Sequence, residues 1–258
     1  MPITRRRALT LLSTATAAMA LNPSMVLSAR QTLVCNWTRD FPPYCMERDG
    51  VMTGILVECA DEVLGARMGF ALDHRGYEWP EAQALVARGQ GDILCTNPTR
   101  ERMGFALFAD EPVLEVPPSI FCAADNPRLA EINAVKTLDD LAAFRQVDYK
   151  GNGWAAQTFP PTLSITYADT LTQALEMIAR GEADVFVGNG LGALYAIRQA
   201  GLSDTIHARG LPVGKPSSFH FGLRADYPQA QAVMTRLATF QDEAMAQGTI
   251  REIILRFL

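Results

Sequence analysis

The sequence predicts an α/β protein built as two lobes. Between Thr32 and Cys95, apolar runs of strand length alternate with segments of helical period, in the order strand, helix, strand, helix, strand. The same rhythm restarts after a proline-rich interruption, EPVLEVPPS, from Glu111 to Ser119. Length agrees: taking a 29-residue leader from 258 residues leaves 229, enough for one large or two small cores.

The elements follow in order. TLVCNW, Thr32 to Trp37, reads as a buried strand, and RDFPPYCMERDG as a loop whose two prolines forbid regular structure. After Gly54, Ile55, Ala60, Val63, Leu64 and Met68 fall at helical spacing until Gly69 stops the run. FALDHRGYEW is a second strand and loop, PEAQALVARGQG a helix with Pro80 at its start, and DILC a third strand. Beyond the interruption come a helix from Thr137 (TLDDLAAF), a strand into Tyr149, a helix after Gly153, the strand SITYA and the helix ADTLTQALEMIARGE. The strand DVFVG and the helix LGALYAIRQAG follow, and two amphipathic helices separated by Gly248 close the chain. There is no repeat and no low-complexity tract.

The first 29 residues carry Arg5, Arg6 and Arg7 ahead of an apolar stretch too short and interrupted to anchor in a bilayer, and no acid occurs before Asp40. That is the pattern of an export signal, with cleavage after Ala20 or Ala29 and a loose twin-arginine likeness that leaves the route open. Its removal takes away three arginines and moves the formal charge from -5 to -8. An acidic chain of this kind is a poor nucleic-acid binder. Five cysteines, Cys35, Cys45, Cys59, Cys95 and Cys122, lack the spacings that hold zinc, so no metal or other cofactor is expected. Cys35 with Cys95 is a candidate bridge if both close neighbouring strands; buried small hydrophobes are the alternative.

CTNPTRERMGF, Cys95 to Phe105, sits where a strand hands over to a helix, the place where open α/β sheets bind ligands. Asn97 followed by Pro98 suits a helix cap and first turn, with Thr99 as an alternative cap, which puts Arg100 and Arg102 near the positive end of the helix dipole. A bound anion would offset that cost; pairing with Glu101 on a solvated surface would also do so. The charges alone leave both readings open. His74, His207 and His220 are scattered and form no catalytic set.

Taken together, FPPY, DGVMTGILVECADEVLGARMG, YEWPEAQALVARGQGDI, TRERMGFALFADEP, TLDDLAAF, YKGNGW, ALEMIARGEADVFVGN and QGTIREIILRF resemble the family 3 solute-binding proteins of bacterial ABC transporters, over essentially Thr32 to Leu258. The resemblance implies a type II periplasmic-binding-protein fold of Venus-flytrap form with two hinge crossings. Lobe one would comprise residues 30–114 with 217–258, and lobe two residues 115–216.

It also implies a ligand site. Arg102, six residues before Phe108, matches the arginine that holds a ligand carboxylate, with Cys95 and Asn97 beside it, while Arg100 matches no binding position. Phe41 and Trp79 match aromatics that sandwich the ligand, and Tyr44 reads as loop packing. On lobe two, Asn152 and Gly153 match a turn at a helix N-terminus. Asn189 stands where amino-acid receptors commonly carry an aspartate for the ligand's ammonium, and asparagine keeps an acceptor while losing the charge.

The expectation is therefore a periplasmic, non-enzymatic receptor for an amino acid or related carboxylate, monomeric and serving an ABC permease. Two alternatives share the scaffold. One is a dehydratase-like enzyme, with Lys150 or Glu78 as the acid; the other is the sensing subunit of a signalling system.

Overall fold

The computed structural model describes residues 30–211 and 215–258, so the export signal predicted for residues 1–29 lies outside the described chain. The first part of the chain gives β1 (Thr32–Thr38), β2 (Asp40–Phe41), β3 (Cys45–Arg48), β4 (Val51–Thr53) and α1 (Ile55–Ala60). α1 runs on as a π-helical turn, Asp61–Arg67, in which the Met68 N–H donates to the Val63 carbonyl five residues back. Then come β5 (Ala71–Tyr77), α2 (Trp79–Ala87), β6 (Ile93–Thr96), β7 (Ala106–Phe108) and β8 (Leu114–Val116). The middle part holds β9 (Pro118–Ala123), α3 (Leu129–Ala134), β10 (Gln146–Tyr149), α4 (Gly153–Thr158), β11 (Ile165–Ala168), α5 (Leu171–Ala179), β12 (Phe186–Asn189), α6 (Gly190–Gln199) and β13 (Ile206–Gly210). The chain ends with β14 (Ser217–Arg224), α7 (Ala230–Ala246) and α8 (Thr249–Phe257).

Two sheets organise these elements. The first has the order β5-β1-β6-β14-β7, with β1 parallel to β5 and β6, and β14 antiparallel to β6, β7 and β8. Its core includes Leu33, Cys35, Ile55, Ile93, Phe221 and Leu237. In the second part β12, β9 and β13 pair antiparallel, β10 and β11 pair in parallel, and a parallel bridge from Gln146 to Val185 joins the two sets. Successive residues of a strand point to opposite faces. Accordingly Phe121 and Phe186 enter one core, while Ile120, Val185 and Val187 enter another on the far side. The chain passes between the two sheets twice, from β8 to β9 and from β13 to β14.

Four expectations need correction. The stretch after β1 is not irregular: β2, β3 and β4 form a small meander, because Pro42 and Pro43 occupy the turn between β2 and β3 and need no ladder bond. TLDDLAAF makes only a short 3-10 turn, Asp139–Ala143. Strands β7, β8, β9, β13 and β14 and helix α3 were not anticipated as elements. The five cysteines are free, so Cys35 and Cys95 form no bridge, and both sit in the first core as small hydrophobes.

Candidate functional site

The carboxyl ends of β1 and β6 open onto a cavity of about 900 Å³ lined from both lobes. β1 contributes Asn36, Trp37 and Thr38, and β6 with its following residue contributes Cys95, Thr96 and Asn97. Asp40 and Phe41 come from β2, Trp79 from the start of α2, Trp154 and Thr158 from α4, Lys215 and Pro216 from the second crossing, and Ser217 to Phe219 from the start of β14. Trp37, Trp79 and Trp154 are all the tryptophans in the chain, and all three line this one cavity.

Each ring is held by its own local chemistry. Trp37 is 2% exposed, and its indole N–H donates to His74 Nδ1 at 2.9 Å. Because an indole nitrogen only donates, His74 carries its proton on Nε2 and presents it to Asp61, 3.1 Å away. Phe41 remains 42% exposed while one side packs on Tyr44, with ring centroids 4.7 Å apart. Trp154 donates its indole N–H to the Lys215 carbonyl at 3.3 Å, tying α4 to the crossing.

Arg102 follows Thr99, whose hydroxyl and carbonyl accept from the Arg102 and Met103 N–H groups. The expected helix is only a 3-10 turn, Arg102–Gly104, preceded by Glu101 and held by Thr99, so Asn97 is free for another task. Arg102 Nη1 donates to the Asn97 carbonyl at 2.9 Å and to its Oδ1 at 2.7 Å, and Nε donates to Gln83 Oε1 at 2.8 Å. The guanidinium lies 5.2 Å from the centre of the Trp79 ring. Among the described residues no carboxylate pairs with it, and Nη2 donates to no protein group. Burial lowers the pKa of this guanidinium, partly offset by Glu101, but it stays charged. Arg102 thus adjoins the cavity through Asn97 and Trp79 rather than lining it.

The structure therefore brings together Phe41, Trp79, Cys95, Asn97 and Arg102. The lobe-two residues expected in the site, Asn152, Gly153 and Asn189, do not line the cavity. Asn152 caps α4, accepting from the Ala155 N–H, and its amide donates to Asp148 Oδ1 at 2.9 Å. Burial pushes the Asp148 carboxyl above its usual range, against the pull of those hydrogen bonds. Gly153 begins α4. Asn189 caps α6, its Oδ1 accepting from the Gly192 N–H at 3.0 Å and also from the Tyr44 hydroxyl of the first lobe.

The sequence did not single out Asn36, Trp37, Thr38, Asp40, Cys45, Leu56, Thr96, Trp154, Thr158 or the segment from Lys215 to Phe219 as site residues. Trp154 carried a signal, as the only aromatic residue of the GNGW motif. The crossing carried none, since Lys-Pro-Ser-Ser has no period. Asn36 donates its amide to the Ala82 carbonyl, while its Oδ1 is buried without a partner.

The lining suits binding better than covalent chemistry. Burial pushes the Cys45 thiol up to about 12 and the Cys95 thiol well above its ordinary value, so both are protonated and weak nucleophiles. No histidine lines the cavity among the described residues, and Asp40 is the only acid that does. Lys150 is exposed and paired with Asp169, and Glu78 lies near Arg39; neither lines the cavity.

Two α/β lobes joined by two crossings, with a shared cavity and a guanidinium that no carboxylate among the described residues meets, define a solute-binding receptor of the type II periplasmic-binding-protein fold. The chain belongs to the bacterial extracellular solute-binding proteins, family 3, whose profile matches residues 33–258. It is 21% identical to a Haemophilus influenzae protein designated "Probable amino-acid ABC transporter-binding protein", over 88% of this chain and 84% of that one. Its fold is similar to that of the L-cystine solute receptor of Neisseria gonorrhoeae in the unliganded open conformation. For that pair the TM-score is 0.72 with 16% identity, covering 89% of this chain and 93% of the other. An ancestral cationic amino acid solute-binding protein matches with a TM-score of 0.68 and 19% identity, over 88% of this chain and 95% of that chain. No helix among the described residues is long and apolar enough to cross a membrane.

Proposed function

We propose that this chain is a non-enzymatic, exported receptor that captures a small carboxylate-bearing solute, an amino acid or a related organic acid, and presents it to an ABC permease. The observation that carries this reading is Arg102. It is a partly buried cation with three neutral acceptors and, among the described residues, no carboxylate partner and no acceptor for Nη2, set against a cavity that both lobes line. A guanidinium fork matches a carboxylate in geometry and charge.

In this reading the lobes are residues 30–114 with 217–258, and residues 115–216. Arg102, Asn97, Cys95, Phe41 and Trp79 form the first-lobe half of the site. Asn152, Gly153 and Asn189 belong to the second-lobe face that approaches as the cleft closes. A ligand that contacts both faces shifts the open and closed populations by its difference in affinity for them. The proposal extends to a periplasmic location, which the predicted leader and the family support, and to a monomeric state.

The test is Arg102→Ala. Loss of a charge-assisted hydrogen bond is worth about 1.5–3 kcal/mol, so affinity for a carboxylate found in a thermal-shift panel should fall roughly 10- to 150-fold. The far-ultraviolet circular dichroism should be unchanged. Unaltered affinity would remove Arg102 as the anchor.

A further inference from the structure

We infer that the cleft is built for an aromatic carboxylate without an α-ammonium group, a 3-arylpropanoate or a relative of it, rather than for an α-amino acid. This rests on the receptor reading above and narrows its ligand.

The charge around the cavity comes first. Its lining contains Lys215 and a single acid, Asp40, both exposed, and Arg102 adjoins it through Asn97 and Trp79. Lys215 forms no ion pair among the described residues, and neither does Arg102. The site therefore offers two cations to a ligand against one exposed carboxylate. An ammonium carried into such a cleft loses part of its hydration and meets two cations against a single carboxylate, the exposed Asp40.

Neutral acceptors do not replace that charge. Asn189 Oδ1 already receives two hydrogen bonds, from the Gly192 N–H and from the Tyr44 hydroxyl. The Asp148 carboxylate is buried in the second lobe and does not line the cavity. Asn36 Oδ1 is the one buried side-chain acceptor of the lining without a partner, and it is uncharged.

The apolar part of the ligand is read from the rings. Trp79 is backed by the Arg102 guanidinium, Phe41 by Tyr44, and Trp154 is fixed edge-on to Phe159 at 5.6 Å. Each has one side committed to the protein while the residue also lines the cavity, and the three come from β2, α2 and α4. Phe219 and Trp37 add two more rings. Flat ligands gain from offset stacking on such faces beyond the area they bury, whereas a branched aliphatic chain gains area alone. The cavity of about 900 Å³ has room for a ring.

The experiment compares matched pairs by isothermal titration calorimetry on the purified protein: 3-phenylpropanoate against L-phenylalanine, and indole-3-propanoate against L-tryptophan. Succinate, glutamate and 3-phenylpropanamide serve as controls. The inference expects at least one arylpropanoate to bind at least tenfold more tightly than its amino acid, with the amide weaker still and Arg102→Gln weakening the acid. An amino acid that binds as tightly as its deaminated partner overturns the inference and leaves the receptor reading standing. So does selective binding of an aliphatic acid. Preference for the neutral amide over every carboxylate overturns both. Absence of binding by both arylpropanoates at millimolar concentration also overturns this narrower claim.

Discussion

Arg100 and Arg102 carry the same charge two residues apart and end in different places. Arg100 is exposed and unpaired among the described residues, while Arg102 turns back to hold Asn97 and Gln83 beneath a tryptophan ring. Their charges do not separate them; only the position of Trp79 and the end of β6 does. The cysteines illustrate the same scale. Cys45 and Cys59 are held protonated to about 12 by burial, whereas an ordinary thiol releases its proton near 9.0. Between those values the unfolded chain binds fewer protons than the folded one, so stability must fall as pH rises through that window. The melting temperature should therefore drop above about pH 9, and a Cys45→Ala, Cys59→Ala variant should show a flatter decline. The same protection should keep both thiols unlabelled by iodoacetamide near neutral pH until the protein is unfolded, which mass spectrometry reads directly.

At the scale of elements, strands and helices with a clear period were legible: β1, β5, β6, α2, α5 and the pair α7 and α8 lie where alternation and helical spacing put them. What escaped was structure specified by turns. Asp49 and Gly50 both have positive φ, 52° and 77°, and this Asp-Gly pair is a hairpin signal that the neighbouring prolines obscured. β14 was missed although Phe219, Phe221 and Leu223 alternate, because both of its faces are buried and its neighbours β6, β7 and β8 are distant in sequence. Gly54 shows how such a turn supports the site. It has φ of 127°, and a Cβ there would lie 2.6 Å from the Tyr44 carbonyl oxygen and 2.8 Å from the Cys45 Cα. The following N–H groups, of Ile55 and Leu56, donate to Pro43 and Tyr44 and so fix the turn that carries Phe41. Gly54→Ala should cost about 1–3 kcal/mol in denaturant melts. It should also weaken ligand binding measured by calorimetry; an unchanged affinity would detach this turn from the site.

At the scale of the whole molecule, the β2–β4 meander reaches across to α6. The Tyr44 hydroxyl donates to Asn189, and Arg48 meets the Tyr195 hydroxyl. Tyr44 is 1% exposed and stacks on Phe219, with centroids 4.8 Å apart, so removing only its hydroxyl leaves the packing in place. Tyr44→Phe should keep the melting temperature within a few degrees and release one tie between the lobes. Small-angle scattering of the unliganded protein should then show a larger radius of gyration, and an unchanged value would mean that this bond does not hold the lobes. No pattern within one segment could reveal such a tie, since its ends are 145 residues apart.

The gathering of Trp37, Trp79 and Trp154 at one cavity has an optical consequence. Indole emission from this chain comes entirely from the cleft, with no tryptophan elsewhere to supply background. The three emitters differ in surroundings: one hydrogen-bonded to an imidazole, one beside a guanidinium, and one donating to the carbonyl of the second crossing. Two sit on the first lobe and one on the second. Replacing Trp154 with phenylalanine would silence the second lobe and leave the first to report alone, separating light from ligand contact from light that follows closure.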